Sequence, residues 1–248
     1  MNYEWLRRYA DLKSALARAL AINPDDAFMK LRLAIVEFDS KGDARPFHQT
    51  LDSIRATNPV AIRAITDFQV GVAMAERDAT AAKTALDVHG ENPMSFCHDV
   101  SFSRSFVEGL IARMRKDEGK ARSAFVAARA EQEKVVQAQP NDSRAVCVLG
   151  LIEAGLGQKE EALREGRHAI ELLPVEKDAM LGVGLVANLA IIAAWVGDTD
   201  LAFEQLENII RHPSDLSYGE LKLMPWWDPL RGDPRFEKIV ASLVAPKE

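Results

Sequence analysis

The chain has 248 residues, enough for one large domain or two ordinary ones, and carries 31 basic against 37 acidic side chains, for a net charge of -6. Apolar residues make up 48% of the chain and charged residues 27%, which excludes a disordered or collagen-like chain. The negative charge also disfavours nucleic acid and anionic membranes as partners, because the protein lacks a global positive field.

The two cysteines, Cys97 and Cys147, are too few for a disulfide framework, and neither belongs to a CxxC pair. No secretory signal is predicted, because residues 1–8 lead into an amphipathic stretch. A reducing, cytoplasmic location is therefore expected. A periplasmic module tethered by an upstream span would have almost the same composition.

The first predicted helix lies within residues 4–22, where Leu12, Leu16 and Ala19 precede Pro24. This stretch has the pattern of the second helix of a hairpin whose first helix is absent. We therefore expect that the chain was cut from, or evolved within, a longer protein.

Prolines recur along the chain at intervals of 35, 34, 47, 34 and 39 residues, at Pro24, Pro59, Pro93, Pro140, Pro174 and Pro213. Two segments with apolar residues at i, i+3, i+4 and i+7 lie between successive prolines, joined by short turns. Proline suits such a boundary because it lacks a backbone N–H and clashes with a preceding helical turn. Each interval is predicted to form one helical hairpin.

The unit from Ser143 shows the pattern most fully, with Leu149 and Gly150 at the seventh and eighth positions, Ala162 at the twentieth and Pro174 at the thirty-second. This pattern resembles the tetratricopeptide repeat (TPR) family. The unit from Phe102 matches at Gly109, Ala121, Phe125 and Ala128, and its second helix is predicted to continue to about Gln139, which would explain the 47-residue interval.

The resemblance implies an all-α fold, a right-handed α-α superhelix of about five hairpins with an irregular helical cap. An unrelated all-helical bundle is the alternative. The TPR array would span residues 1–216, with a half-repeat at 1–24 and repeats at about 25–59, 60–93, 94–140, 141–174 and 175–216. Small residues at the eighth and twentieth positions would allow the two helices of a hairpin to approach closely.

The segment 179–197 has no charged residue and approaches the length of a membrane span. It contains Asn188 and two glycines and lacks a basic flank, so a buried helix is predicted instead. Its Gly182-x-Gly184-x-x-Ala187 pattern matches the dinucleotide fingerprint only as text, because no strand precedes it. We expect these glycines to allow close helix packing, and Asn188 either to hold a neighbouring element or to bind a peptide main chain.

Residues 217–248 are predicted to form the cap, since three prolines between Met224 and Phe236 forbid a continuous helix. Asp233 and Pro234 then start a short helix with Phe236, Ile239, Val240 and Leu243 on one face. This ending resembles that of the C-terminal TPR regions of bacterial multidomain signalling proteins, which carry a serine/threonine kinase, a cyclase or a transcriptional regulator domain. Trp226 and Trp227 are expected to pack within the cap.

No catalytic site, metal site or cofactor is predicted. The five histidines are scattered, and Cys97-His98-Asp99, the best local cluster, is expected to be a loop or a partly buried surface. No nucleophile elbow or paired catalytic residues are recognisable.

Transferring the family's groove positions to this chain predicts a concave, partner-binding groove that is mainly apolar with several arginines. Its residues are Met29, Leu33, Arg63, Val70, Phe106, Leu110, Arg113, Arg144, Cys147, Leu151, Asn188 and Ile191. Apolar anchors would supply affinity and Arg63, Arg113 and Arg144 specificity for a partner with some acidic residues.

The sequence thus predicts a non-enzymatic module that binds a protein or peptide ligand. Two alternatives stay open. The chain could regulate a larger bacterial signalling enzyme by binding another domain of the same chain, or it could self-associate into a homo-oligomer through an exposed helix face.

Overall fold

The computed structural model describes residues 3–98 and 100–244, and nearly all regular structure within them is helical. The α-helices are α1 (Tyr9–Ile22), α2 (Ala27–Lys41), α3 (Arg45–Thr57), α4 (Thr66–Ala75), α5 (Ala79–His89), α6 (Arg104–Met114), α7 (Glu118–Ala138), α8 (Ser143–Gly155), α9 (Lys159–Leu172), α10 (Leu181–Trp195), α11 (Thr199–Ile209), α12 (Tyr218–Leu223) and α13 (Pro234–Ser242). Two 3-10 helices span Pro59–Ile65 and Pro225–Leu230. One antiparallel hairpin joins β1 (Met94–Cys97) to β2 (Val100–Phe102). The predicted all-α class is confirmed.

Aspartates set the starts of many helices. In each case the side-chain carboxylate accepts a backbone N–H from the first turn, which would otherwise lack a partner. The capping residues are Asp26, Asp78, Asp117, Asp142, Asp198 and Asp233. Five of these six aspartates lie in the short turns between consecutive α-helices, so the turn residues themselves cap the helices that follow.

Consecutive helices pack in pairs, α2 with α3, α4 with α5, α6 with α7, α8 with α9 and α10 with α11, and successive pairs contact each other. Glycines allow the close approaches. A Cβ at Gly109 would lie 2.6 Å from the Phe125 ring, and one at Gly150 would lie 3.1 Å from the carbonyl oxygen of Ala162. The backbone of α6 therefore lies close to the Phe125 side chain of α7, and the backbone of α8 lies close to the backbone of α9.

Helix α10 is the most buried element, with thirteen of its residues excluded from solvent. A Cβ at Gly182 would lie 2.8 Å from the backbone of Val175, and one at Gly184 would lie 3.0 Å from the carbonyl oxygen of His98. The two glycines of the Gly-x-Gly pattern thus serve close packing. Within the described part of the chain, the helices fall short of the combined length and apolar character that crossing a membrane requires.

The interval between Pro93 and Pro140 is longer than the others for two reasons, of which the sequence indicated one. Helix α7 runs for 21 residues, and the β-hairpin occupies the residues before α6. The hairpin has a sequence signal that was missed. Met94, Val100 and Phe102 are buried whereas Ser95 and Ser101 are exposed, which is the two-residue period of a strand.

The second unit also departs from a regular helical hairpin. Its first helix is divided into the 3-10 helix Pro59–Ile65 and α4, which begins only at Thr66. Thr66 is held at this junction because its hydroxyl donates to the carbonyl oxygen of Arg63 at 3.2 Å. Side chains before Thr66 therefore do not follow the register of α4.

The residues after α11 return to the beginning of the chain. We call residues 213–233 the C-terminal segment. The Ser214 amide donates to the carbonyl oxygen of Trp5 at 3.0 Å, and the Arg7 guanidinium donates to the carbonyl oxygen of Leu216 at 3.2 Å. Further along, α12 packs on α2, with Gly219 directly against the carbonyl oxygen of Phe38.

The same segment also contacts the middle and the end of the helical array. Arg77 donates to Asp228 Oδ1 at 2.6 Å and to the carbonyl oxygen of Leu223. The Trp195 indole of α10 donates to the carbonyl oxygen of Trp226 at 3.0 Å. The C-terminal segment therefore joins α2, the end of α4 and α10, which are far apart in sequence.

Helix α13 completes the chain as the sequence predicts. Asp233 caps it, and Phe236, Ile239 and Leu243 are buried, with Val240 partly buried. The helix packs on α11 and α12, and the Arg235 guanidinium lies 4.1 Å from the centre of the Phe203 ring.

The contact at Gly219 makes a direct test of this arrangement. A Cβ at Gly219 would overlap the carbonyl oxygen of Phe38, so we expect Gly219→Ala to lower the unfolding free energy by about 1–3 kcal/mol. It should also make the C-terminal segment more sensitive to limited proteolysis. The matched control is Gly119→Ala in α7, where the nearest atom is Asp117 Oδ1 at 3.8 Å. This control should raise the unfolding free energy by up to about 1 kcal/mol, and equal effects of the two substitutions would contradict the packing.

Candidate functional site

The predicted groove positions on α4, α6, α8 and α10 lie in the interior. Their buried members are Val70, Phe106, Leu110, Cys147, Leu151, Asn188 and Ile191. Two other elements cover part of this set. Phe102 of β2 stacks on Phe106 with ring centres 4.6 Å apart, and Trp226 of the C-terminal segment lines a small apolar cavity with Leu110, Leu151 and Ile191. These buried positions lie close together, but they pack against other residues of the same chain instead of lining an open groove.

Asn188 makes its hydrogen bond within its own helix. Its side-chain N–H donates to the carbonyl oxygen of Gly184 at 3.0 Å, one turn earlier in α10. The residue is fully buried and lines the same small cavity as Ile191 and Leu151. The expectation that Asn188 holds a neighbouring element is therefore wrong for this donor, because the bond stays inside α10.

The three arginines of the predicted groove are not brought together. Arg63 lies in the 3-10 helix and Arg144 in the first turn of α8, and both are exposed. Arg113 is partly buried between the rings of Phe125 and Trp195 and donates to the carbonyl oxygen of Gly155 at 3.0 Å. Arg113 thus links α6, α7, α8 and α10, and the three guanidinium groups form no common surface.

Met29 and Leu33 occupy a separate place. Both are partly buried on α2 and pack against a small cluster made by Tyr9, Leu16 and Val36. This cluster joins α1 to α2 and lies apart from the core that contains Phe106 and Leu151. The two residues therefore belong to the contact between the first helices.

A substitution at Leu151 distinguishes an interior position from an open groove. Because Leu151 is buried in α8, we expect Leu151→Ala to lower the unfolding free energy by about 2–5 kcal/mol in chemical denaturation. Arg144→Glu is the control on the same helix, since Arg144 is exposed, and its effect should stay within about 0.5 kcal/mol. A loss below 1 kcal/mol for Leu151→Ala would place this position on an open surface.

A second, larger cavity lies between α2, α4, the β-hairpin and the C-terminal segment, with a volume of about 540 Å³. Its lining combines acidic, basic and aromatic side chains. The carboxylates are Glu4, Asp39, Asp67, Asp215 and Glu220, the basic groups are Arg32 and His98, and the aromatic rings are Trp5, Phe28, Phe38, Phe68 and Trp226. Phe28 is 46% exposed, so the cavity is open to solvent on its side.

His98 stands at the turn of the β-hairpin, in a left-handed backbone conformation with φ of 43°. Its Nδ1 lies 3.0 Å from Asp215 Oδ1 and its Nε2 lies 3.0 Å from Glu220 Oε1. The expected loop position of His98 is confirmed, since the residue lies in the hairpin turn, but its imidazole is only 1% exposed and is therefore fully buried instead of partly buried at a surface. Asp99 and the side chain of Cys97, the other members of the predicted cluster, lie outside the described residues.

The two carboxylates beside His98 are held by several donors. The indole N–H groups of Trp226 and Trp227 donate to Glu220 Oε1 at 3.3 and 3.2 Å. Burial alone would raise the pKa of Asp215, but the attraction of His98, its hydrogen bond and the charge of Arg7 hold that pKa below its ordinary value. The turn of the hairpin is therefore fastened to the C-terminal segment through charged groups.

Two further carboxylates of the cavity have basic side chains as neighbours. Glu4 accepts a hydrogen bond from the Arg32 guanidinium. Asp67 lies 3.1 Å from Nδ1 of His89, at the end of α5. These neighbours belong to the fold itself and offset part of the desolvation of the two acids.

Asp39 differs from the other four acids. Within the described residues, its carboxylate has one hydrogen bond, from Ser217 Oγ at 3.1 Å, and no ion pair. Burial, reinforced by repulsion from Glu4 and Glu220, raises the pKa of Asp39 to about 8, although Ser217 and Arg32 lower it. A carboxyl group that is protonated near neutral pH therefore lines the cavity.

The group formed by His98, Asp215 and Glu220 was not predictable from local sequence, because 117 residues separate His98 from Asp215. Among the described residues, no set of three or more histidines, cysteines and acids is arranged to hold a metal ion. In comparisons with known proteins, no family matches this chain and no curated protein matches its sequence.

The raised pKa of Asp39 predicts a pH dependence of stability. Between about pH 4 and pH 8 the folded state keeps a proton on Asp39 that the unfolded chain has released, so the unfolding free energy should fall as the pH rises through this window. Asp39→Asn should make this fall smaller and raise the unfolding free energy at pH 8. Part of the slope should remain, since burial and repulsion from Glu165 raise the pKa of Glu153 to about 7.

Chemical denaturation at several pH values measures this effect. The control is Asp52→Asn on α3, where the carboxylate is exposed and pairs only with Arg55. This variant should keep the slope of the wild type. If Asp39→Asn also keeps it, Asp39 is ionised in the folded protein at neutral pH.

Proposed function

We propose that this protein is a non-catalytic binding module built from TPR-like helical hairpins, and that it takes a segment of a partner protein into the 540 Å³ cavity. The proposal rests on one observation. The cavity is the place where aromatic and charged side chains from α2, α4, the hairpin and the C-terminal segment converge.

The TPR-like part of the proposal is supported by the helical pairs and their spacing. Gly109 and Gly150 are the eighth residues of their units, and Gly150 packs against Ala162 at the twentieth position, where the repeat pattern predicts close packing. Gly109 packs against the larger Phe125, at the twenty-fourth position of its unit. In a right-handed superhelix of such pairs, the first helices of the units line the concave face. The role of the module inside a larger bacterial signalling protein is part of the same proposal, since another domain could supply the bound segment.

The proposed ligand differs in charge from the one that the groove positions suggested. An acidic partner was expected because of Arg63, Arg113 and Arg144, but these residues are dispersed, and Arg113 is engaged by Phe125, Trp195 and Gly155. The cavity instead presents more acidic than basic side chains. A partner segment with basic residues fits this lining better.

Site-specific photo-crosslinking tests the proposal in the full chain. A photoreactive phenylalanine analogue at Phe28, on the open side of the cavity, should capture a discrete protein from the source cells, and peptide mapping should place the link in one segment. The control position is Val126 on α7, which is 52% exposed and does not line the cavity. Equal capture at both positions, or no capture at Phe28 by a folded chain, would count against a partner-binding cavity.

A further inference from the structure

We propose that the cavity recognises an organic cation, a primary ammonium or guanidinium group on an apolar stem, and that Asp39 is the carboxylate that receives it. This inference rests on the proposed function only in taking the cavity as the binding site. It adds the chemical class of the ligand and a change of protonation that accompanies binding.

The charges of the lining are the first argument. Five carboxyl groups face two basic groups, and both basic groups are already engaged, Arg32 by Glu4 and His98 by Asp215 and Glu220. The Asp67 carboxylate lies 3.1 Å from Nδ1 of His89. The hydroxyl of Ser217 can donate one hydrogen bond to Asp39 but supplies no charge. Within the described residues, Asp39 is therefore the carboxyl group of this lining that has no basic partner within ion-pair distance, and it is the one with which an added cation would pair.

The aromatic rings are the second argument. Trp5, Phe28, Phe68 and Trp226 line the same cavity, and Phe28 meets Phe68 edge to face with ring centres 5.7 Å apart. Ring faces attract ammonium and guanidinium groups and also pack against an apolar stem. An anion would be repelled by the surrounding carboxylates, and a neutral ligand would gain no charge–charge attraction from them. Rings and carboxylates together therefore favour an amphipathic cation.

Size and access are compatible with such a ligand. A volume of about 540 Å³ lies within the range of small-molecule sites and exceeds what an alkylammonium group needs. Asp39 is partly buried and lines this space. Phe28 lines the same space and is 46% exposed, which gives a ligand an opening to the cavity beside this ring.

Binding must change the protonation of Asp39. The groups that face it are Glu4 before α1, Tyr9 on α1, Arg32 on α2, and Ser217 and Glu220 on the C-terminal segment. Because burial holds the pKa of Asp39 near 8, the empty site carries a carboxylic acid at neutral pH. An arriving cation favours the carboxylate, so the proton leaves to the buffer as the ion pair forms. Affinity for a cation should therefore rise with pH until Asp39 is ionised without help.

Titration with defined probes tests the inference. The probes are n-hexylammonium, its neutral counterpart 1-hexanol and the anion hexanoate, added to the full chain at pH 6, 7.5 and 8.5 and constant ionic strength. Binding is followed by the indole N–H signals of Trp5 and Trp226, which line the cavity. We expect n-hexylammonium to bind saturably, at least tenfold more tightly than 1-hexanol, with a higher affinity at pH 8.5 than at pH 6.

Two variants locate the effect. Asp39→Asn keeps the shape of the side chain and should weaken n-hexylammonium binding at least tenfold at pH 8.5. It should also remove the dependence of this affinity on pH. The control Asp52→Asn, at an exposed position of α3, should bind n-hexylammonium as the wild type does. Calorimetry in two buffers of different ionisation enthalpy should show proton release on binding at pH 7.5 by the wild type and by Asp52→Asn, but not by Asp39→Asn. Equal binding of hexanol and n-hexylammonium, or unchanged binding by Asp39→Asn, would overturn the inference.

The source of the cation is decided by a second comparison. A short acetylated and amidated peptide with one central lysine, compared with the same peptide carrying norleucine, tests a partner side chain, and n-hexylammonium tests a free amine. Preference for lysine over norleucine assigns the site to a basic peptide, while binding of the free amine alone assigns it to a small molecule. Protein capture at Phe28 without any preference for cations would leave the proposed function standing and overturn the ligand class.

Discussion

The return of the C-terminal segment onto α2 is the constraint on which the remaining structure depends. The approach is possible only because residue 219 has no side chain, so that α12 can lie against the carbonyl oxygen of Phe38. This contact places Ser217 beside Asp39 and Glu220 beside His98. Without it, the larger cavity would lack one wall, and the imidazole at the hairpin turn would lose both of its acidic neighbours. A close backbone contact thus determines the electrostatics of the site.

Within the cavity, the acids differ in how their burial is compensated. Glu220 has two indole donors and an imidazole, Asp215 has the imidazole with Arg7 nearby, and Glu4 has Arg32. Asp39 has a hydroxyl donor, and its proton takes the place of a counter-ion. An acid that shares a cavity with other carboxylates either binds a cation or stays protonated, because an uncompensated buried charge is strongly unfavourable. Among the acids of the lining, Asp39 is therefore the one without an ion pair in the described part of the chain.

The sequence predicted local features well and long-range ones poorly. Proline spacing predicted a succession of helical hairpins, Asp233 predicted the start of α13, and the small residues Gly109 and Gly150 predicted points of close approach, since these features depend on neighbours within one unit. The apolar groove positions did not become an open surface, because Phe102 of the β-hairpin and Trp226 of the C-terminal segment pack beside them. The site at His98 was missed for the same reason, as its partners lie at the other end of the chain.

Trp226 explains why the predicted groove positions still matter to the larger cavity. Trp226 lines both cavities, the apolar one beside Leu110 and Ile191 and the charged one beside Asp39. Its backbone carbonyl oxygen accepts the indole N–H of Trp195 from α10, while its own indole N–H donates to Glu220. Because these hydrogen bonds and the apolar packing act on the backbone and the side chain of one residue, the position of the cavity wall depends on the packing of α6, α8 and α10. The interior residues of these helices thereby support the larger cavity without lining it.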